Sequence, residues 1–144
     1  MSVILVRKRF VGDATLDSIN LWVIPIAVKF EERRHNFNFL LDTGAQRTVL
    51  TPLVKQIMKL EVSIDGSTLA VSATGHSRYA ETTISLEIGA INIIDTDVLV
   101  GSLPELFRDY EIAGILGADV LKLLFLKINY LEKLLEIERP VTFI

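Results

Sequence analysis

The stretch Leu40-Leu41-Asp42-Thr43-Gly44-Ala45-Gln46-Arg47-Thr48-Val49-Leu50 decides how this chain is read. Apolar residues on both sides predict a buried segment. Asp42 then ends a buried strand, where a lone carboxylate is costly unless paired. Gly44 permits a close approach or a backbone angle that a side chain would block. Thr43 supplies a hydroxyl that can brace a partner, and Ala45 is small and adds no donor. An aspartate in a tight, glycine-containing turn is what two carboxylates sharing one site require. The bare Asp-Thr-Gly tripeptide is most often only a β-turn; the flanking pattern makes it specific.

Short apolar runs rich in Val, Ile, Phe and Thr alternate with turn signals on either side of the motif, the pattern of many short strands. Residues 36–41 lead into it as a strand, and 21–30 form the strand before. The charged residues 31–35 join these two as a hairpin. Pro25 within the first predicts an edge position or a bulge. After the motif, Thr51-Pro52 opens a helix reaching about Leu60, with Thr as N-cap and Pro in the first turn. Apolar residues at 53, 54, 57 and 58 predict its buried face. Asp65-Gly66 marks a tight turn between residues 61–64 and 69–73. Residues 74–77 form a small polar loop before a strand over 79–88. Another strand covers 91–100, and 104–107 make a helical turn. Residues 117–125 read as a helix, and 126–130 with 133–138 as a last hairpin. Eight or nine strands with two short helices predict an all-β closed sheet or barrel.

The 144 residues correspond to one domain, 1–144, at roughly 100–200 residues per domain. Half of them are apolar and 23% charged, which excludes intrinsic disorder. Cysteine is absent, excluding disulfides, zinc fingers and thiol catalysis. Two histidines, at 35 and 76, are too few for most histidine metal sites, so no metal or cofactor is expected. A net charge of −3 and a pI near 5.4 argue against a nucleic-acid partner. The longest apolar run, residues 21–28, is interrupted by Pro25 and too short to cross a membrane. Residues 3–6 are apolar and 7–9 basic, the reverse of a secretory signal. The expected compartment is the cytoplasm.

The motif and its flanks resemble the retropepsin-like aspartic proteases: retroviral proteases, the retroviral-like domain of DNA-damage-inducible proteins, and single-domain bacterial relatives. A second landmark of that family is an apolar–apolar–Gly segment before a helix. Ile115-Leu116-Gly117 supplies it, with Gly117 75 residues after Asp42. The resemblance spans about residues 21–138. It implies a closed β-barrel and an aspartic endopeptidase with peptide or protein substrates. In that family two aspartates share one proton: one activates a water and the other donates to the scissile carbonyl. This chain has one Asp-Thr-Gly and no Asp-Ser-Gly, so the resemblance implies a two-fold homodimer. Asp42, Thr43 and Gly44 would form the catalytic turn, Thr43 bracing the partner's turn and Gly44 offering its carbonyl to substrate. Ala45, Gln46, Ile115 and Leu116 would contact substrate. A flap is expected over residues 70–80, with Thr74, Gly75 and His76 at its tip.

The chain departs from the retroviral pattern in an orderly way. Retroviral members carry an Asp after the Ala, paired with an Arg just after the later Gly. Here those positions hold Gln46 and Ala118, so both partners are absent together. The alternative reading is a catalytically silent dimer on the same fold that binds peptides or acts as a scaffold. Residues 133–144, ending in Val141-Thr142-Phe143-Ile144, are the expected dimer interface.

Overall fold

The computed structural model describes residues 2–63, 68–72 and 75–143. Among these residues there are ten strands and four short helices. β1 (Ser2–Val11) and α1 (Ala14–Ile19) precede a hairpin of β2 (Val23–Phe30) and β3 (Arg33–Leu41). β4 (Val49–Leu50) and α2 (Pro52–Met58) follow the Asp42 turn. β5 (Thr68–Ser72) and β6 (Gly75–Ile88) form a second hairpin, and β7 (Ile91–Val100) returns beside β6. α3 (Glu105–Asp109), β8 (Ile112–Leu116), α4 (Ala118–Leu121), β9 (Phe125–Asn129) and β10 (Leu134–Phe143) come last. No helix among the described residues is long and apolar enough to cross a membrane.

Seven strands join in the order β2-β3-β8-β4-β7-β6-β5. Ala27, Val28 and Lys29 of β2 also pair with Glu87, Leu86 and Ser85 of β6. Pro25 is exposed and lies outside that second pairing, which suits a residue with no N–H to give. β8 lies between β3 and β4, parallel to β3 and antiparallel to β4. The chain therefore leaves β3, makes the Asp42 turn, and returns on the other side of β8. Phe39, Leu50, Leu99 and Leu116, from the strands at this crossing, are fully buried. Val54 and Met58 of α2 close over the same core.

Gly117 makes the crossing possible. A Cβ there would lie 2.6 Å from both the carbonyl carbon and the carbonyl oxygen of Arg47. The strand end and the motif loop touch backbone to backbone, which only glycine allows.

The second sheet has the order β1-β10-β9. Leu135 and Ile137 of β10 turn one face into the core. The other face is laced with charge. Glu138, only 4% exposed, takes Arg7 Nε at 2.8 Å and Lys127 Nζ at 3.3 Å, and Arg9 pairs with Glu136. Burial pushes the Glu138 carboxyl up, but hydrogen bonds from Lys127 and Arg7 outweigh it and hold the group below its ordinary value.

Several expectations are corrected here. The helix expected over 117–125 ends at Leu121, because Phe125 is drawn into pairing opposite Glu138. α2 buries Val54 and Met58 but leaves Leu53 and Ile57 55% and 40% exposed, since a seven-residue helix sets only an i, i+4 pair against the sheet. Thr51 stands at the N-cap without a side-chain capping bond. Residues 134–143, part of the segment expected at a dimer interface, pair along their length with β1 of the same chain, from Leu134↔Val11 to Phe143↔Ser2. Four helices replace the expected two: α1, capped by Asp13 Oδ1 on Thr15 N at 2.9 Å, is new, and the turn at 104–107 is α3. Residues 61–63 are not strand, and the Asp65-Gly66 turn lies outside the described residues.

Two predictions follow from these contacts. Replacing Gly117 with Ala forces backbone apart, so Gly117→Ala should lower stability by about 1–3 kcal/mol or more in urea unfolding; an unchanged midpoint would mean the contact is not tight. Glu138 is depressed in the folded state, so its contribution is complete above about pH 5 and fades as pH falls through its folded value. The stability gap between the wild type and Glu138→Gln should therefore be largest near neutrality and shrink toward pH 3. A gap that is the same at both pH values contradicts this assignment.

Candidate active site

Asp42 is placed by backbone before its side chain matters. Leu41 N donates to Trp22 O at 2.9 Å, and Asp42 N donates to Leu116 O at 3.1 Å. The turn closes on itself through Ala45 N to Asp42 O at 3.2 Å and Gly44 N to Asp42 Oδ1 at 2.9 Å. The loop is then clamped to the start of α4. Ala118 N donates to Ala45 O at 2.8 Å, and Asp119 N to Gln46 O at 3.2 Å.

Asp119 is the hub of that clamp, although its role is not evident from the sequence. Its carboxylate accepts from Thr48 N at 2.9 Å, Thr48 Oγ1 at 2.7 Å and Val120 N at 2.9 Å. Thr48 Oγ1 in turn accepts from Gly117 N at 3.0 Å, and Thr48 is fully buried. A buried hydroxyl that both gives and takes is costly to lose, because its partners are left unsatisfied. Arg47 Nε lies 3.5 Å from Asp119 Oδ2, and Arg47 Nη2 lies 3.6 Å from Glu81 Oε1. These long, partly exposed ion pairs contribute little beside the hydrogen bonds. The absent pair at Gln46 and Ala118 thus has a counterpart one residue further along each segment, with the signs exchanged: Arg47 with Asp119. The signal for it was two polar residues inside apolar flanks, Thr48 six residues after Asp42 and Asp119 two after Gly117.

The motif residues meet the two landmarks at one place. Asp42 is partly exposed, Thr43, Gly44 and Gln46 are exposed, and Ala45 and Ile115 are partly buried. The Leu116 side chain is wholly buried, so in a single chain it has no surface to offer a ligand; its carbonyl holds the turn. The β5–β6 hairpin pairs from Thr68↔Tyr79 to Ser72↔Gly75, with His76 opposite Val71. Gly75 is therefore the first paired residue of β6, and Thr74 lies outside the described residues. A cavity of about 670 Å³ lies elsewhere, between the start of β3, α2 and the segment before β8. Phe37, Leu53, Ile57 and Phe107 line it, and no motif residue does. Among the described residues no cluster of three or more His, Cys, Asp or Glu could hold a metal ion.

Comparison with known proteins places this geometry. The family described as aspartyl protease matches residues 26–120. The chain is similar in structure to a retropepsin-like aspartic protease from Rickettsia conorii, with a TM-score of 0.65 and 20% identity, covering 99% of this chain and 98% of that one. It is similar also to the EIAV protease complexed with the inhibitor HBY-793, with a TM-score of 0.57 and 22% identity, covering 74% of this chain and 89% of that one. At these identities the likeness concerns the fold. No curated protein sequence matches. The family match takes in Asp42, the β3–β8–β4 crossing and the Gly117 clamp, so this chain, with its retropepsin-like fold, belongs to the aspartyl protease family.

Proposed function

We propose that the protein is an aspartic endopeptidase whose site forms when two copies bring their Asp42 carboxylates together. One observation carries this reading. The Asp42 turn is fixed from both sides by backbone bonds, while its carboxylate is partly exposed and its own turn engages Oδ1 through Gly44 N. Two such carboxylates, brought together across a two-fold axis, would share one proton.

In the paired site the ionised Asp42 removes a proton from a water molecule, whose oxygen attacks the scissile carbonyl carbon. The protonated Asp42 gives its proton to the carbonyl oxygen. Collapse of the resulting diol breaks the C–N bond: one carboxylate takes back a proton from the diol hydroxyl, and the other gives the water's proton to the leaving nitrogen. No acyl-enzyme forms and no cofactor is needed. Thr43 braces the partner's turn and Gly44 presents its carbonyl to the substrate backbone. Ala45, Gln46 and Ile115 line the cleft, with Leu116 beneath it. The β5–β6 hairpin serves as the flap, carrying Thr74, Gly75 and His76 over the substrate. Residues 1–144 act as one cytoplasmic domain, and the β2–β6 pairing supports a closed barrel as its scaffold. The alternative, a silent peptide-binding dimer, keeps the same assembly and loses only the proton transfers.

Asp42→Asn should leave the fold intact and lower cleavage of an apolar peptide by about 10²–10⁴-fold. Residual activity within about tenfold of wild type would place the catalytic acid elsewhere. Wild-type activity per chain should fall on dilution, because the site exists only in the dimer. A wild type that binds the peptide without cutting it would establish the silent alternative.

A further inference from the structure

β3 runs longer than the strand beside it. It begins at Arg33, whereas its pairing with β8 begins only at Asn38↔Ile112. On that side residues 33–37 have no partner strand among the described residues. Upstream of Ile112 the chain leaves this lane for α3, through Glu111 with its φ at 56°. The lane that a longer β8 would fill is therefore open, and the cavity of about 670 Å³ lies in it. His35, Asn36 and Phe37 form one wall, Leu53 and Ile57 of α2 another, and Phe107 of α3 a third. An unpaired strand edge offers its backbone N–H and C=O groups to an extended peptide. Residues 33–37 make an edge about 16 Å long.

The walls of the lane name the occupant. The volume falls within the range of about 300–1,000 Å³ usual for ligand sites. Leu53 is 55% and Ile57 40% exposed, so α2 gives the cavity apolar surface that the single chain leaves uncovered. Side chains of an added strand alternate, and every second one would meet that surface. The rim carries both signs, Arg108 beside Glu105 and Glu111, all exposed. Mixed charge does not select a phosphate or another strongly charged ligand; it matches a polypeptide of apolar and mixed-charge residues. β8 also connects the lane to the chemistry. It runs from Ile112 at the cavity to Leu116, whose carbonyl accepts from Asp42 N. These five residues set the two places about 16 Å apart. A polypeptide held at Asp42 can reach the lane with a segment outside its scissile residues. We infer that the open edge of β3 at residues 33–37 is a second binding site, which takes an extended apolar segment of the protein substrate as an added strand, away from the bond that is cut. This inference rests on the endopeptidase reading proposed above and narrows its substrate class to chains long enough to occupy both places.

Two measurements test it. The first is binding of a labelled peptide of alternating Thr and Val, flanked by serines, followed by fluorescence anisotropy with the Asp42→Asn chain to prevent cutting. Binding should saturate, and adding Leu53→Asp should raise Kd by at least about tenfold. Leu53 is more than half exposed in the first turn of α2, where an acid suits the helix, so the fold should survive, as circular dichroism will check. Ile57→Ser is the second variant and should also weaken binding. Ile94→Asp, exposed on β7 and outside the cavity, is the control and should leave Kd unchanged. The second measurement is cleavage by the wild type. A short apolar peptide is compared with the same peptide joined to the Thr-Val segment by a Gly/Ser linker of about ten residues, which spans about 17 Å. The extended peptide should show a KM at least about tenfold lower at equal kcat. Leu53→Asp should remove that advantage and leave kcat/KM for the short peptide unchanged. Binding that neither Leu53→Asp nor Ile57→Ser weakens, or a KM indifferent to the extension, would overturn the second site and leave the endopeptidase reading standing. Binding as expected with neither peptide cut would overturn the endopeptidase reading, and with it the assignment of the segment to a substrate.

Discussion

The contact between residues 45–48 and residues 117–119 is the constraint on which the rest of this molecule depends. Two segments about 70 positions apart approach so closely that one of them must be glycine at 117. Their backbones exchange hydrogen bonds at Ala45 and Gln46, and the buried Thr48–Asp119 pair closes the contact from the side. Among the described residues the Asp42 carboxylate takes its hydrogen bond from Gly44 N within its own turn, and none from elsewhere in the chain. Its direction is inherited from this clamp and from the Leu116 carbonyl beneath it. The sheet order follows from the same requirement, since β8 must run between β3 and β4 for the two segments to meet.

Asp119 illustrates how one fold can keep a function of geometry while changing the residues that supply it. With Gln46 and Ala118 in place of an ion pair, loss of the clamp would be the simple expectation. The clamp instead survives on backbone amides and a carboxylate–hydroxyl–amide relay, with Arg47 adding a long ion pair at its margin. Hydrogen bonds among buried groups hold position better than a surface charge pair, whose partners lose entropy and gain little in water. The placement of Asp42 therefore does not require charged residues at 46 and 118.

The legible part of the sequence was the part governed by local rules. The strand over 91–100 was read with its observed bounds because its apolar run ends in turn signals on both sides. The Asp42 turn and the Ile115-Leu116-Gly117 landmark were legible because each needs particular residue types in a row. What escaped was set by partners far away in the chain. Nothing local marks the basic run Arg7-Lys8-Arg9 as strand, yet Arg7 and Arg9 lie on the edge strand β1 and are answered by Glu138 and Glu136. The apolar sequence through Phe125 read as helix because its period suits one, and pairing with β10 overrode it. The fate of the last strand could not be seen without knowing that the first ten residues would take it.

The central claim is that catalysis needs an Asp42 from each of two copies, and a mixing experiment tests it most directly. Wild-type chains are combined with Asp42→Asn chains at constant total concentration, well above the dimer dissociation constant, and peptide cleavage is measured against the wild-type fraction. If both carboxylates are required, mixed dimers are silent and activity follows the square of that fraction, about a quarter of full activity at equal mixing. Activity that falls in direct proportion, to about half at equal mixing, would mean that a single chain holds a complete site and would contradict the account.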